Sequence, residues 1–291
     1  MKGIRLINSG VQASFSPQGA EVNSFILDGT EYIWQADPEI WGRHTPVLFP
    51  IVGQLKDDTY FIDGEVYHLS QHGFARDREF TLIEHTPTRV VFLLESDPET
   101  LKTYPFPFQL YISYTLEGRS LHVEYKVRNP AEKTMLFGIG GHPALNCPLN
   151  PAHEKFDDYE VDFHIDAPDK EIYLLDGKLL GLQKGKLPLN QGKINLQYSL
   201  FEKDALIFDA DAPTKISVRS KKTGHGFSME YGDFRWLGVW TKGEGAGFIC
   251  LEPWNGIADR IDHDQNFSKK LGINTLEGGK EYRVSYAINF F

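Results

Sequence analysis

Hydrophobic and polar residues alternate along much of the chain, most clearly in FQLYISYTLEGRSLHVEYKV, residues 108–127. The apolar positions on either side of the EGRS turn are Phe108, Leu110, Ile112, Tyr114, Leu116, Leu121, Val123, Tyr125 and Val127. A period of two is typical of a strand with one buried face, so this segment predicts an antiparallel β-hairpin.

Further short segments carry the strand pattern, separated by Gly, Asp or Pro: RVVFLLES, DALIFDA, KISVRS, GFSMEYG, RWLGVWT, GFICLE and EYRVSYAINFF. Helical signals are few. The stretch DPETLKTY (97–104) predicts one or two turns, with Asp97 as the cap and Pro98 at the first helical position. Frequent strands with almost no helical period predict an all-β sandwich. Composition does not change along the chain, so we predict one domain over residues 1–291.

Composition narrows the possible partners and the compartment. A net charge of −10 argues against nucleic acid or an anionic membrane as a partner. No apolar run approaches the ~20 residues that a membrane span needs, and the N-terminal stretch has no signal-peptide pattern. Cys147 and Cys250 are far apart and in no CxxC motif, which predicts a reduced, cytoplasmic protein; a disulfide between them is the alternative.

In three segments, Gly or Pro surrounds a titratable residue, and the first that we consider is FGIGGHPALN (137–146). Gly140 and Gly141 allow close backbone approach before His142, and Pro143 fixes the chain after it. An imidazole held at an apolar strand end is a candidate proton donor because its pKa lies near working pH. The structural alternative is a core histidine whose hydrogen bonds are satisfied.

The second segment is FICLEPWNG (248–256), in which Glu252 follows four apolar or sulfur-bearing residues. A carboxylate is costly to remove from water without a partner. Partial desolvation would raise its pKa toward that of a useful base. Trp254 would place a large aromatic face beside it, on which the C–H face of a sugar can pack. A carboxylate that accepts from a buried Arg or from backbone amides is the structural alternative.

The third segment is QHGFAR (71–76), which contains His72. Gly73 permits a tight turn, Phe74 is apolar, and Arg76 offers a five-donor fork suited to oxygen-rich ligands. We take all three side chains as candidates for a ligand site. A turn in which the histidine caps the backbone and the arginine is a surface charge is the alternative.

Two other kinds of site use the same residue types. Two imidazoles and a carboxylate could bind zinc or iron, but His72 and His142 are 70 residues apart and no short ligand motif supports them. A two-carboxylate glycosidase would need a second acid, and Asp209 in LIFDADAP is the nearest candidate. We therefore predict no metal and no cofactor.

Taken together, the three segments resemble the aldose 1-epimerase (galactose mutarotase) family. The stretch VLFPIVGQLKDDTYFIDGEVYHLSQHGF is similar to the family's strand and D-G-x-x-Y-x-L hairpin that lead to its first histidine. GGHPALN resembles the segment of its second histidine, and FICLEPWNG resembles the segment of its glutamate. Three motifs in the right order on an all-β chain make the resemblance fairly specific.

The resemblance implies a large antiparallel β-sandwich (a supersandwich) with an open sugar-binding cleft across one face. It implies that Glu252 is the general base on the anomeric hydroxyl and His142 the general acid toward the ring oxygen. His72 would hold the substrate and polarise that oxygen. Such an isomerase needs no redox step, metal or covalent intermediate, and it acts on a monosaccharide.

The chain also departs from the galactose mutarotases, which carry an Asn-Arg pair where this sequence has Gly53-Gln54-Leu55-Lys56. HGFAR is closer to a divergent branch, some of whose members act on hexose 6-phosphates through arginines. Arg76 matches that branch, and Arg43 lies near where a second arginine is expected. Asp209 is predicted to bind a sugar hydroxyl. A hexose-6-phosphate 1-epimerase and a non-catalytic sugar-binding protein therefore stay as alternatives, as do a monomer and a homodimer.

Overall fold

Strands dominate the protein. The computed structural model describes residues 3–8, 10–211 and 214–291, and 49% of it is strand against 8% helix. Helix α1 (Pro98–Thr103) is the α-helix predicted from the sequence, and Asp97 caps it through its Oδ1, which accepts a hydrogen bond from the Thr100 N–H at 2.7 Å. The predictions of this helix and of an all-β sandwich are confirmed.

The strands are short and follow one another closely. The first thirteen are β1 (Ile4–Asn8), β2 (Val11–Phe15), β3 (Val22–Leu27), β4 (Thr30–Glu31), β5 (Val47–Leu48), β6 (Thr59–Ile62), β7 (Glu65–His68), β8 (Thr81–His85), β9 (Arg89–Glu95), β10 (Gln109–Glu117), β11 (Ser120–Arg128), β12 (Met135–Phe137) and β13 (Ile139–Gly141). The next twelve are β14 (Ala144–Asn146), β15 (Tyr159–Asp162), β16 (Asp169–Asp176), β17 (Leu179–Pro188), β18 (Lys193–Asn195), β19 (Leu206–Asp209), β20 (Lys215–Ser220), β21 (Gly226–Glu230), β22 (Trp236–Trp240), β23 (Phe248–Asn255), β24 (Asn274–Leu276) and β25 (Glu281–Phe290). Short 3₁₀ turns lie at Lys56–Asp58, Ala75–Asp77, Phe156–Asp158, Tyr198–Phe201 and Phe267–Lys269.

Two large antiparallel sheets form the sandwich. One has nine strands in the order β18-β15-β20-β21-β25-β11-β10-β9-β8. The other runs β17-β16-β19-β22-β23-β13-β5, and β14 also pairs with β23. Strands β1–β4 form a smaller sheet, and β6–β7 and β12–β24 form two-stranded pairs. The hairpin predicted over residues 108–127 is β10–β11, and all seven further segments contain a strand.

The main core lies between the two large sheets. One hydrophobic cluster contains Leu110 and Ile112 of the nine-stranded sheet together with Leu237 and Ile249 of the other. Each fully buried aliphatic or aromatic side chain of this kind contributes about 1.5–3 kcal/mol of hydrophobic stabilisation. The outer face of the second sheet carries two smaller clusters of its own, so this sheet presents side chains in both directions.

The described residues contain no helix that is long and apolar enough to cross a membrane.

Candidate active site

Strand β23 carries Glu252 to the outer face of the second large sheet. Ile249 and Leu251 belong to the main core, whereas Cys250 and Trp254 belong to the clusters on the opposite face. Because side chains alternate along a strand, Glu252 shares the outer face with Cys250 and Trp254. A cavity of about 700 Å³ opens on this face, and its lining includes Trp41, His72, Arg76, His142, Trp240 and Glu252. We call this cavity the cleft.

The pairing register places His142 opposite Glu252. Strand β13 pairs with β23 through Gly140 and Trp254, and β14 pairs with it through Ala144 and Cys250. Residue 142 lies midway between these two pairs, in the short break before Pro143. The imidazole Nε2 of His142 is 3.1 Å from Oε2 of Glu252. The two residues are 7% and 1% exposed, so the contact lies at the floor of the cleft.

Burial makes the neutral forms of both groups favourable. It lowers the pKa of His142 to about 3, with a smaller lowering by the charge of Arg76. Burial also raises the pKa of Glu252 well above its usual range, and the negative charge of Asp204 raises it further. Both shifts favour the carboxylic acid and the neutral imidazole, and transfer of the carboxyl proton along the 3.1 Å contact gives a carboxylate and an imidazolium.

His72 lies in a tight turn and has one nitrogen already bonded. Its backbone φ is +67°, that of Gly73 is +69°, and a Cβ at Gly73 would overlap the carbonyl of Phe49. The Gly53 N–H donates to Nδ1 of His72 at 3.1 Å, which makes Nε2 the protonated nitrogen. Burial, and then the neighbouring His142, hold the pKa of His72 well below its usual value, so the ring is a neutral donor.

Tryptophans form the apolar walls of the cleft. The ring of Trp41 stacks on His142 at 5.0 Å between centroids, and the ring of Trp240 meets His142 edge-on at 5.6 Å. Trp254 lies between Gly140 and Gly238, where a Cβ on either glycine would come within 2.8 Å of the indole. Flat apolar faces around a polar floor suit a ligand with C–H and O–H groups on different sides.

Basic side chains surround the mouth of the cleft although the protein is acidic as a whole. Arg76, Lys178, Lys203 and Lys242 line it, and Glu202 and Asp204 are the acidic residues nearby. Arg76 donates from Nη2 to the carbonyl of Gln71 at 2.6 Å, whereas its buried Nε has no hydrogen-bond partner within the described residues. Lys178 donates to Oε1 of Gln71 at 3.0 Å. Burial, followed by the charge of Arg43, lowers the pKa of Arg76 to about 10.

Five of the eight residues predicted for the site line the cleft, and three do not. His72, Arg76, His142, Glu252 and Trp254 belong to the lining. Phe74 instead packs its ring against Phe108 and Tyr104 on the core side, with ring centroids 5.9 Å and 6.3 Å away.

Asp209 accepts hydrogen bonds from Tyr173 (2.9 Å) and Lys184 (2.6 Å), beyond the lining. Arg43 pairs with Asp77 at 2.8 Å and reaches the site through its charge, which lowers the pKa values of Arg76 and the two histidines. We therefore do not carry Phe74, Asp209 or Arg43 forward as groups that touch a ligand.

Sequence reasoning missed Asp204, Trp41 and Trp240. Asp204 lies just before β19 with φ of +81°, lines the cleft, and is close enough for its charge to raise the pKa of Glu252. The signal for it was present, because an acidic residue directly before a strand is as well placed as Asp209 at the strand's end. Trp41 lies in a segment without strand pattern, where nothing in the spacing points to a site.

Within the part of the chain that the structure describes, one group of side chains could hold a metal ion. The ligand atoms of His142, Cys250 and Glu252 lie within 4.8 Å of one another. Burial raises the pKa of the Cys250 thiol, so an ion would have to displace its proton. The buried Nδ1 of His142 has no hydrogen-bond partner within the described residues, whereas metal-ligating histidines almost always have one there. The donor set therefore fits an acid/base pair better than a metal centre.

Cys147 and Cys250 are both free and buried.

A large antiparallel sandwich with a buried histidine–glutamate contact at the floor of an open cleft is the architecture of a galactose mutarotase-like protein. The chain belongs to the aldose 1-epimerase family, whose model matches residues 2–271. It is 37% identical over 298 aligned positions to the chromosomal LacX protein of Lactococcus lactis subsp. lactis. This alignment covers 98% of each chain.

Solved structures agree with this assignment. A galactose mutarotase related enzyme from Lactobacillus acidophilus superimposes with a TM-score of 0.95 at 36% identity, over 99% of this chain and 97% of that one. A galactose mutarotase-like protein from Lactobacillus casei ATCC 334 gives a TM-score of 0.90 at 29% identity, over 99% and 100%. The family resemblance read from the three motifs is confirmed, and the family supports an epimerase role on a carbohydrate.

Proposed function

We propose that the protein is an aldose 1-epimerase that interconverts the α- and β-anomers of a hexose by general acid/base catalysis. The observation that carries this proposal is the 3.1 Å contact between His142 and Glu252 at the floor of the cleft. Anomer exchange needs one proton removed from the sugar and one supplied, and a carboxyl group beside an imidazole offers one group for each transfer.

Each proton has a place in the reaction. In the carboxylate–imidazolium form of the pair, Glu252 takes the proton of the anomeric hydroxyl O1 while His142 gives a proton to the ring oxygen O5. The C1–O5 bond breaks and C1=O1 forms. Rotation about C1–C2 then exposes the other face of the aldehyde. Ring closure reverses both proton transfers, so atoms and charges balance without a cofactor.

The surrounding residues support this chemistry. The neutral Nε2–H of His72 can donate to the ring oxygen while Nδ1 stays bonded to the Gly53 N–H. Trp240 and Trp254 offer apolar faces to the C–H side of the ring. Asp204 can accept from a sugar hydroxyl. Each positioned acid or base typically contributes about 10²–10⁴-fold to the rate.

Polarimetry tests the proposal directly. Freshly dissolved α-D-glucose, α-D-galactose and α-D-glucose 6-phosphate should relax to their usual equilibrium rotation faster with the protein than without it. The same acceleration is expected after EDTA treatment, because the scheme uses no metal. If no sugar responds while calorimetry detects sugar binding, the protein is a non-catalytic binder on this scaffold and the proposal is wrong.

A hexose 6-phosphate is the second candidate substrate, and the four basic side chains in the cleft lining favour it. Arg76 donates to the backbone carbonyl of Gln71 and Lys178 to its side chain, so two cations lie beside the residue that precedes His72. A phosphate there would gain charge-assisted hydrogen bonds from both cations. On this reading, α-D-glucose 6-phosphate should have a higher kcat/KM than α-D-glucose.

Replacing Lys178 by methionine separates the two candidates. A hydrogen bond to a charged group contributes about 1.5–3 kcal/mol, so kcat/KM for glucose 6-phosphate should fall roughly 10- to 100-fold. The value for free glucose should stay within about two-fold. Lys186 is the matched control, since it belongs to the same hairpin but pairs with Asp169 at 3.0 Å, away from the cleft. Equal losses for both sugars would remove the case for a phosphate subsite.

The two neighbouring aspartates give a further paired prediction. Asp204→Asn should lower kcat/KM about 10-fold or more, because it removes a charged acceptor from the cleft lining. Asp209→Asn should leave kcat/KM within about two-fold, because its carboxylate is bonded to Tyr173 and Lys184 instead. Steady-state polarimetry of both variants checks this. A larger loss in Asp209→Asn than in Asp204→Asn would restore Asp209 as a substrate ligand.

A further inference from the structure

A buried ion pair lies behind the cleft wall and takes no part in the chemistry described so far. Nζ of Lys270 is 2.8 Å from Oδ1 of Asp259, and the two residues are 4% and 1% exposed. Lys270 also donates to the carbonyl of Ile257 at 2.6 Å. Burial lowers the pKa of Lys270, and the adjoining Asp259 opposes that shift. Such a pair gives no assured gain in stability, since desolvation can exceed the attraction.

The carboxylate of Asp259 joins two chain segments that are distant in sequence. Its Oδ2 accepts from the backbone N–H of Lys56 at 2.9 Å. The backbone N–H of Asp259 donates to the carbonyl of Gln54, also at 2.9 Å. His263 places Nδ1 3.5 Å from the same Oδ2. Lys270 therefore fixes Asp259, and Asp259 in turn binds residues 54 and 56 through its backbone N–H and its carboxylate.

Gly53 directly precedes this fixed segment and contacts the proposed active site. Its N–H donates to Nδ1 of His72 at 3.1 Å, and its carbonyl accepts from the His72 N–H at 2.9 Å. A Cβ on Gly53 would lie 2.6–2.7 Å from the backbone and Cβ of Ala258, the residue before Asp259. The Gly53 peptide is thus held on one side by His72 and on the other by the segment that the ion pair fixes.

We propose that Asp259 and Lys270 are positioning residues that hold the Gly53 amide against His72 and thereby keep the Nε2–H tautomer of its imidazole. Without that amide, either ring nitrogen could carry the proton, and His72 would offer a lone pair to the sugar for part of the time. The predicted effect on kcat/KM rests on the proposed epimerase function, whereas the predicted tautomer of His72 does not.

The test replaces Lys270 by methionine, which keeps the length of the side chain and removes its charge. ¹⁵N NMR of the histidine rings, assigned with a His72→Gln variant, should show the Nε2–H form of His72 in the wild type. Lys270→Met should give a mixture of tautomers. Its kcat/KM per folded molecule should fall in proportion to the fraction of His72 that loses the Nε2–H form, about two-fold for an equal mixture.

Glu154→Gln is the matched control. Glu154 is 5% exposed and bonded to Tyr159, Ser220 and Thr223, so the change also disturbs a buried charge but outside the cleft lining. It should lower thermal stability without altering the His72 spectrum or kcat/KM. A purely structural role for Lys270 would give the same result, so the two variants distinguish positioning from stability.

Two outcomes decide against the proposal. An unchanged His72 spectrum in folded Lys270→Met would overturn it, as would a kcat/KM equal to that of Glu154→Gln. If Lys270→Met does not fold, Asp259→Asn is measured in the same way, because it keeps an oxygen for the Lys56 N–H and loses the charge. If the wild type accelerates no sugar, the epimerase proposal fails alone, and the NMR comparison still decides the role of the pair.

Discussion

Glu252→Gln is expected to reduce kcat by about 10²–10⁴-fold while sugar affinity stays within a few-fold. Glutamine keeps the shape and a hydrogen-bonding oxygen for His142, but it cannot take the proton of the anomeric hydroxyl. The loss should therefore appear in kcat rather than in KM. Polarimetry gives the rate, and calorimetric titration with the sugar gives the affinity. Turnover that survives the substitution would mean that another group is the base.

Stability should change in the opposite direction from activity. The folded protein holds the proton of Glu252 more tightly than the unfolded chain does, because burial raises the pKa of that carboxyl. Its contribution to stability is therefore complete below about pH 4 and is lost as pH rises through the raised pKa. Glutamine does not titrate, so the variant should melt at the same temperature as the wild type or higher at neutral pH. A large drop in melting temperature would indicate a structural role instead.

Much of the fold could be predicted because the strand period is local. Alternation in residues 108–127 gives both the hairpin and its buried face, and the structure pairs Gln109–Glu117 with Ser120–Arg128. The order of strands in each sheet could not be predicted from the sequence. In the nine-stranded sheet β21, β25 and β11 are neighbours although they lie far apart in the chain. The alternation of apolar residues shows which face of a strand is buried, but it does not show which other strand pairs with it.

Site residues could be predicted where neighbouring Gly or Pro residues make the local sequence distinctive, and not elsewhere. His142 stands between Gly141 and Pro143, Glu252 directly precedes Pro253, and the register brings the two together. Phe74 lies on the core side, and both residues before it, His72 and Gly73, have positive φ values that form a tight turn there. Asp209 is two residues beyond Ile207, which lines the cleft, but Tyr173 and Lys184 take its oxygens there.

The second large effect is expected from His142→Asn, which should also reduce kcat by about 10²–10⁴-fold. Asparagine can hydrogen-bond to Glu252 but cannot give a proton to the ring oxygen. Because His142 and Glu252 lie 3.1 Å apart and act in the same proposed step, we treat them as a unit, and losses within such a unit do not add. The double variant His142→Asn/Glu252→Gln should therefore be no more than about ten-fold slower than the slower single variant.

Two techniques make this comparison decisive. Polarimetry of the two single variants and the double variant gives the cycle, and near-UV circular dichroism shows whether the tryptophans around His142 keep their packing. If the double variant loses the product of the two single effects, each residue acts without the other and the two do not work as a unit. If the double variant matches the slower single one, removing either group already disables the same step, which is what a base and an acid acting on O1 and O5 at once require.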